Sequence, residues 1–409
     1  MVLAVVLALL AAACGGSAGA GGDGAEPGGP EADESGGGAA ADGGAATTAA
    51  SSGRAREILA TLTVDEKIGQ LLMPVPFGTG ADAVSPAEAA ANQAQFGVDT
   101  PAQMVTTYHL GGMLYLSNNI VSSDQLARYS AGLQAAARRD GPGVGMLIAV
   151  DQEGGRVNRI TDGVTVFPAA ALLAGDPASV REAGYLTGRQ VAVQGVNVGL
   201  APVADVTDSA VAGAIGNRSY GDDPAVVSEM VTAAVDGLQS AGVAAAVKHW
   251  PGHGATQVDS HDTLPVINNS REQWEQHDVP PFRAAIDDGV DIVVVGHLAF
   301  PAVDPNGGPA SMSATLVEQE LRQNLGFDGV VMTDAMNMGA VSDVDPGQMS
   351  VQSIVAGVDV LLVAPNLSTT FPALQAAVAD GTITAERLDE AALRVLELKG
   401  RLGLLPDAG

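Results

Sequence analysis

Eight short apolar runs recur between Gly69 and Ala364, and longer amphipathic stretches separate most of them. The runs are Gly69–Val75, Gly112–Leu116, Gly145–Asp151, Val196–Ala204, Val243–His249, Asp291–His297, Gly329–Asp334 and Val358–Ala364. Segments with helical periodicity, such as Ser123–Arg139, Ala178–Gln194, Pro224–Ala241 and Ala314–Leu325, lie between them, and Ala385–Leu402 follows the last. Short strands alternating with helices predict βα units around a parallel sheet. Eight such units fit a closed ring, so the expected fold is α/β, a single (β/α)₈ TIM-type barrel. A doubly wound open sheet would carry a Gly-rich phosphate turn after its first strand. Met73-Pro74-Val75-Pro76 stands there instead.

The chain ahead of this body is of a different kind. Met1–Ala13 reads MVLAVVLALLAAA, too short to span a bilayer as a stable helix but of the length of a signal h-region. The stretch Ala11-Ala12-Ala13-Cys14-Gly15 resembles the lipobox of bacterial lipoproteins. That resemblance implies a lipid on Cys14 and an exported protein anchored to the outer face of the cell membrane. From Gly15 to Gly53 there is no Lys, Arg, Leu, Ile, Val or aromatic residue, so the segment cannot bury enough apolar surface to offset its ordering entropy. The expected organisation is a leader over 1–13, a lipidated Cys14 with a disordered acidic tether to 53, and a catalytic domain over 54–405. Cys14 is the sole cysteine, which excludes an intramolecular disulfide and a multi-cysteine metal site. The net charge of −28 excludes a nucleic-acid partner, whose phosphates require clustered Lys and Arg.

Polar residues crowd the C-terminal ends of the apolar runs. LIAV leads into Asp151-Gln152-Glu153, AAAV into Lys248-His249, IVVVG into His297, and VVMT into Asp334. For any one of these alone, a pairing or capping role at a strand end is the simpler reading. Four together predict a site, because those ends converge on one face of such a barrel.

The densest stretch runs from Lys248 through His249 and His253 to Asp259, His261 and Pro265. His249 and His253 are four apart, the spacing of metal ligands on a helix, but Pro251, Gly252 and Gly254 argue against a helix there. No metal or cofactor is expected. Asp259 and His261 are two apart, so in an extended segment both side chains point the same way. The carboxylate can then hold one imidazole nitrogen and leave the other for proton transfer. An aspartate turn is the structural alternative in a loop of this composition.

These motifs resemble the bacterial β-N-acetylhexosaminidase branch of glycoside hydrolase family 3. The matching stretches are Asp151–Val157, Gly216–Tyr220, Lys248–Pro265 and Gly329–Ala335, in the family's order, with Trp250 and Ala255 as departures. The resemblance implies that Asp334 is the nucleophile and that His261 is the acid/base, positioned by Asp259. It further implies that Asp151, Arg159, Arg218, Lys248 and His249 hold an N-acetylglucosamine ring, and that the partners are cell-wall-type glycans or muropeptides. The implied reaction is retaining, through a glycosyl-Asp334 ester. A deprotonated histidine is neutral and does not repel an anionic acceptor, so a phosphorylase using phosphate in place of water is the rival within the same chemistry. A catalytically inert glycan-binding lipoprotein is the rival from another class.

Overall fold

The computed structural model describes residues 52–140, 143–207 and 213–407. The leader, Cys14 and the tether up to residue 51 lie outside the described residues. Residues 52–59 are helical, so this helix takes in two residues of the stretch expected to be tether. The reason is visible in its packing: Ala55, Ile58 and Leu62 are buried against Val144 and Leu396.

The fold is α/β with a curled parallel sheet. Its strands are β1 (Leu72–Met73), β2 (Gly112–Tyr115), β3 (Leu147–Val150), β4 (Val198–Gly199), β5 (Ala244–Trp250), β6 (Ile292–Val295), β7 (Val330–Thr333) and β8 (Leu361–Leu362). Strands β2 to β7 form one sheet in chain order, every neighbouring pair parallel, and β1 pairs in parallel with β8. Met332 bridges Val360 just before β8, and the Leu114 amide donates to the Pro74 carbonyl at 3.0 Å just after β1.

Three expected strands shrink to two residues each, well short of their apolar runs. Gly69 and Gln70 end the helix Val64–Gln70, whose start is fixed by a capping box between Thr63 and Glu66. The Val196–Ala204 and Val358–Ala364 runs pair as strands only at β4 and β8. Long helices cover the outside, among them Ser123–Asp140, Pro177–Ala192, Pro224–Ser240 and Ala385–Arg401. The expected helix at 314–325 is a π-helix over Thr315–Asn324.

Alternation along the strands divides the core in two. Leu147, Ala149, Ala244, Ala246, Val330 and Met332 belong to an inner cluster enclosed by the curled sheet. Their neighbours Ile148, Val150, Ala245, Val247 and Val331 pack outward with the helices. Period-two side-chain direction in a strand produces this division, and burial on both faces explains why the strands read as continuous apolar runs.

Candidate active site

The inward register carries chemistry at its next step. Beyond Leu147 and Ala149 it reaches Asp151; beyond Ala244 and Ala246, Lys248; beyond Val330 and Met332, Asp334. All three line one open cavity of about 300 Å³, together with Glu153, Arg159, Arg218, His249 and His261. Trp250 lies on the other side of β5, its Nε1 donating to the Leu316 carbonyl at 2.9 Å and its ring against Trp274 and Phe282. That departure from the family pattern is therefore a packing residue.

A chain of ion pairs forms one wall. Lys248 Nζ lies 2.8 Å from Asp151 Oδ1 and 2.7 Å from Glu153 Oε1. Arg218 meets Glu153 in a two-point fork, Nε to Oε2 and Nη2 to Oε1, both at 2.8 Å. The third donor group of Arg218, Nη1, is bound to the Ala214 carbonyl at 3.1 Å. Arg159 Nη2 is 3.4 Å from Asp151 Oδ2. Burial alone would raise the Glu153 carboxyl, but Lys248 and Arg218 outweigh it and hold Glu153 well below the usual carboxylate range. The same pairs keep Lys248 and Arg218 protonated against the opposing effect of burial.

Two aspartate–histidine pairs face the cavity, one buried and one exposed. Asp205 Oδ2 lies 2.7 Å from His249 Nδ1, and Asp205 Oδ1 accepts the backbone amides of His249 at 3.2 Å and His253 at 2.7 Å. The carboxylate can only accept, so His249 carries its proton on Nδ1. In the second pair Asp259 Oδ1 is 2.7 Å from His261 Nδ1 and accepts the His261 amide at 2.9 Å. Burial works to raise the Asp259 carboxyl, yet the His261 amide and imidazole hold it below its ordinary value. The His261 side chain is 69% exposed, which leaves Nε2 free to meet a ligand.

This second pair corrects one expectation. The segment is a turn, with the Asp262 and Thr263 amides donating to the Asp259 carbonyl at 3.0 and 3.2 Å, and not an extended strand. The carboxylate reaches the imidazole because it closes an aspartate turn over its own loop. The carboxylate–imidazole pair and the aspartate turn therefore occur together at Asp259.

Asp334 stands at the C-terminal tip of β7, its amide donating to the Val295 carbonyl and its Oδ1 accepting the Ala335 amide, each at 2.8 Å. Burial favours its neutral form; His249, His297, the Ala335 amide and Lys248 outweigh that and keep the carboxyl below its usual range. It is a carboxylate at neutral pH. His297 donates from Nε2 to the Ala335 carbonyl at 3.2 Å, and its Nδ1 faces Ser311 Oγ at 2.8 Å. Burial depresses the imidazole's basicity, against the opposing pull of Asp334 and the Ala335 carbonyl.

The eight residues singled out within the described part, Asp151, Arg159, Arg218, Lys248, His249, Asp259, His261 and Asp334, thus gather around one cavity or hold a side chain that lines it. Cys14 lies outside the described residues. Two functional partners were not selected from the sequence. Glu153 stands in the quoted Asp151-Gln152-Glu153 stretch, and its place just past the apolar run LIAV was a usable signal. Asp205 sits one residue beyond the Val196–Ala204 run, where the Ala204 amide pairs with the Lys248 carbonyl at 2.6 Å and places it under His249. His249 and His253 do not share a ligand position: one binds Asp205, the other contacts Ser260 Oγ through Nε2 at 3.1 Å.

The chain is similar to known glycoside hydrolases. The glycosyl hydrolase family 3 N-terminal domain matches residues 63–398. β-Hexosaminidase A of Pseudoalteromonas piscicida is 31% identical over 329 residues, 74% of this chain and 55% of that protein. The structure of a glycoside hydrolase family 3 β-N-acetylglucosaminidase from Paenibacillus sp. str. FPU-7 aligns at 39% identity with a TM-score of 0.78, over 85% of this chain and 64% of that one. A β-glucoside phosphorylase structure aligns at 26% identity with a TM-score of 0.76, over 87% of this chain and 62% of that one. This chain thus spans between half and two thirds of the length of these relatives. With the match running through the strands that carry Asp151, Lys248 and Asp334, the chain belongs to glycosyl hydrolase family 3.

Proposed function

We propose that the protein is a retaining β-N-acetylglucosaminidase acting on terminal N-acetylglucosamine of cell-wall-type glycans. The observation that carries this reading is one cavity lined by a half-buried, ionised Asp334 and by an exposed imidazole whose Nδ1 is held by Asp259. Asp334 attacks the anomeric carbon as the bond to the leaving oxygen breaks, and His261 Nε2 gives that oxygen a proton. In the second step Nε2 takes a proton from water as its oxygen replaces the Asp334 ester. His249 is the less suitable proton carrier because it is buried on the Asp205 side and is one of the groups that hold Asp334 ionised.

The cation–carboxylate wall of Asp151, Glu153, Arg218 and Lys248 offers both donors and acceptors, as a polyhydroxylated ring with an amide requires. Parallel pairing of β1 with β8, the Met332–Val360 bridge and the Leu114–Pro74 bond support a full eight-stranded ring, whose C-terminal rim would hold this site. The resemblance around Cys14 supports an exported, lipid-anchored form. Substitution Cys14→Ser should then move the protein out of the membrane fraction.

The second reading is a phosphorylase, favoured by the likeness to a β-glucoside phosphorylase and by an acceptor-side base that carries no negative charge. Turnover of an aryl β-N-acetylglucosaminide with and without phosphate separates the readings. Free N-acetylglucosamine under both conditions supports hydrolysis, and N-acetylglucosamine 1-phosphate supports phosphorolysis. Release under neither condition leaves an inert glycan-binding protein.

A further inference from the structure

The turn that presents His261 is held on two sides by groups with no place in the chemistry described so far. On one side it rests on the loop that follows Asp334. The Gly339 amide donates to the His261 carbonyl at 2.9 Å, and the Ala340 amide to the Ser260 carbonyl at 3.1 Å. On the other, Ser260 Oγ lies 3.1 Å from His253 Nε2. Ser260 and His253 are both only 2% exposed, and the His253 amide is fixed to Asp205. Among the described residues His253 Nδ1 has no partner, so the ring's single polar tie there is to the His261 turn.

The contact at Gly339 is closer than any side chain permits. A Cβ there would overlap the carbonyl oxygens of both Asp262 and His261, the latter at 2.6 Å. Gly339 does not adopt a left-handed φ, so alanine fits its backbone and only the approach of the turn excludes the methyl group.

We propose that Gly339 is a positioning residue for the acid/base: it is the seat on which the nucleophile's loop receives the His261 turn, with the His253–Ser260 contact as the tie beneath. The inference rests on the role assigned to His261 above. Seating the turn there fixes Nε2 relative to Asp334 through the backbone, since Gly339 follows Asp334 by five residues in a loop that starts from β7. A methyl at Gly339 lifts the turn and withdraws the proton carrier while leaving the nucleophile in place.

The test uses the full chain carrying Gly339→Ala, with Ser260→Ala as the companion that removes the tie and adds no bulk. Two readouts are taken. Hydrogen exchange at 258–264 and 336–342 reports the seat whether or not the protein is active, and both segments should exchange about tenfold faster in Gly339→Ala. On aryl β-N-acetylglucosaminides, kcat/KM for a poor leaving group should fall about tenfold or more. For a 2,4-dinitrophenyl leaving group it should change less than about twofold, because that group departs without a proton. Ser260→Ala should show the same pattern more weakly. Unchanged exchange in both variants overturns the seat, and equal loss on both substrates overturns the positioning role. A wild type that turns over neither substrate refutes the proposed function instead, and exchange alone then decides the seat.

Discussion

Asp205 holds His249 from beneath: one carboxylate oxygen takes the imidazole Nδ1 proton at 2.7 Å while the other takes the backbone amides of His249 and His253. Every partner of this buried carboxylate is a donor. Burial would raise its pKa, but His249 and those bonds hold it low. Asparagine has one accepting oxygen, so Asp205→Asn turns an NH₂ group toward a donor. The expected outcome is a stability loss of about 2–4 kcal/mol and a kcat/KM loss of at least tenfold, read by denaturant titration and steady-state kinetics.

Glu153 is the common partner of Lys248 and Arg218. Removing its charge with Glu153→Gln leaves the buried Lys248 and the half-buried Arg218 undercompensated, a kind of change that typically costs about 3–5 kcal/mol of stability. Arg218→Ala should lower kcat/KM by roughly 2–4 kcal/mol of transition-state binding. Because each residue acts through the other, the double variant should lose less than the sum of the single losses, and strict additivity would show that they are independent.

Asp334 and His261 should separate in kinetics. Asp334→Ala should abolish turnover of every substrate, whatever its leaving group. His261→Ala should still form the glycosyl-enzyme from an activated aryl substrate and then stall, giving a burst that azide converts to sustained turnover. Asp259→Ala should give a milder form of the same record, since it orients the imidazole and carries no proton to the substrate. Rapid-mixing kinetics with and without azide checks all three variants.

Lys399 provides a pH test remote from the cavity. It is fully buried, its Nζ bonds to Gln70 Oε1 at 2.6 Å, and burial pushes its pKa down to about 7. The unfolded chain keeps that proton up to about pH 10.5, the ordinary value. Between those limits the unfolded state binds more protons, so this residue makes stability rise with pH from about 7 to about 10.5. Lys399→Met removes that slope. Its stability relative to wild type should therefore be greater at pH 6.5 than at pH 10 by on the order of 2–4 kcal/mol, measured by urea unfolding at each pH.

The sheet and the three inward-pointing residues were legible in the sequence because both follow from alternation: an apolar run names the strand, and the residue after it on the inner face names the site. Asp151, Lys248 and Asp334 are of this kind. Asp205 was not legible because its role depends on which loop passes beneath His249, a contact between residues 44 apart in the chain. The turn at Asp259 was legible only as the alternative to an extended segment, because spacing alone is silent on whether two residues face one another across a strand or across a bend. The first helical residues, 52 and 53, went to the tether because a Ser-Gly pair carries no apolar periodicity of its own.

The two groups assigned to the chemistry are held with unequal firmness. Asp334 continues a buried strand, whereas His261 rides a turn that is 69% exposed at its imidazole and secured by two backbone bonds and one side-chain contact. Such a turn opens at a lower free energy than the sheet beneath it. On warming, cleavage of substrates that need a proton should therefore fade several degrees before the protein melts, while cleavage of self-departing aryl groups persists to the melting point. On the proposed function, heat inactivation would begin as a loss of acid catalysis in an otherwise intact fold.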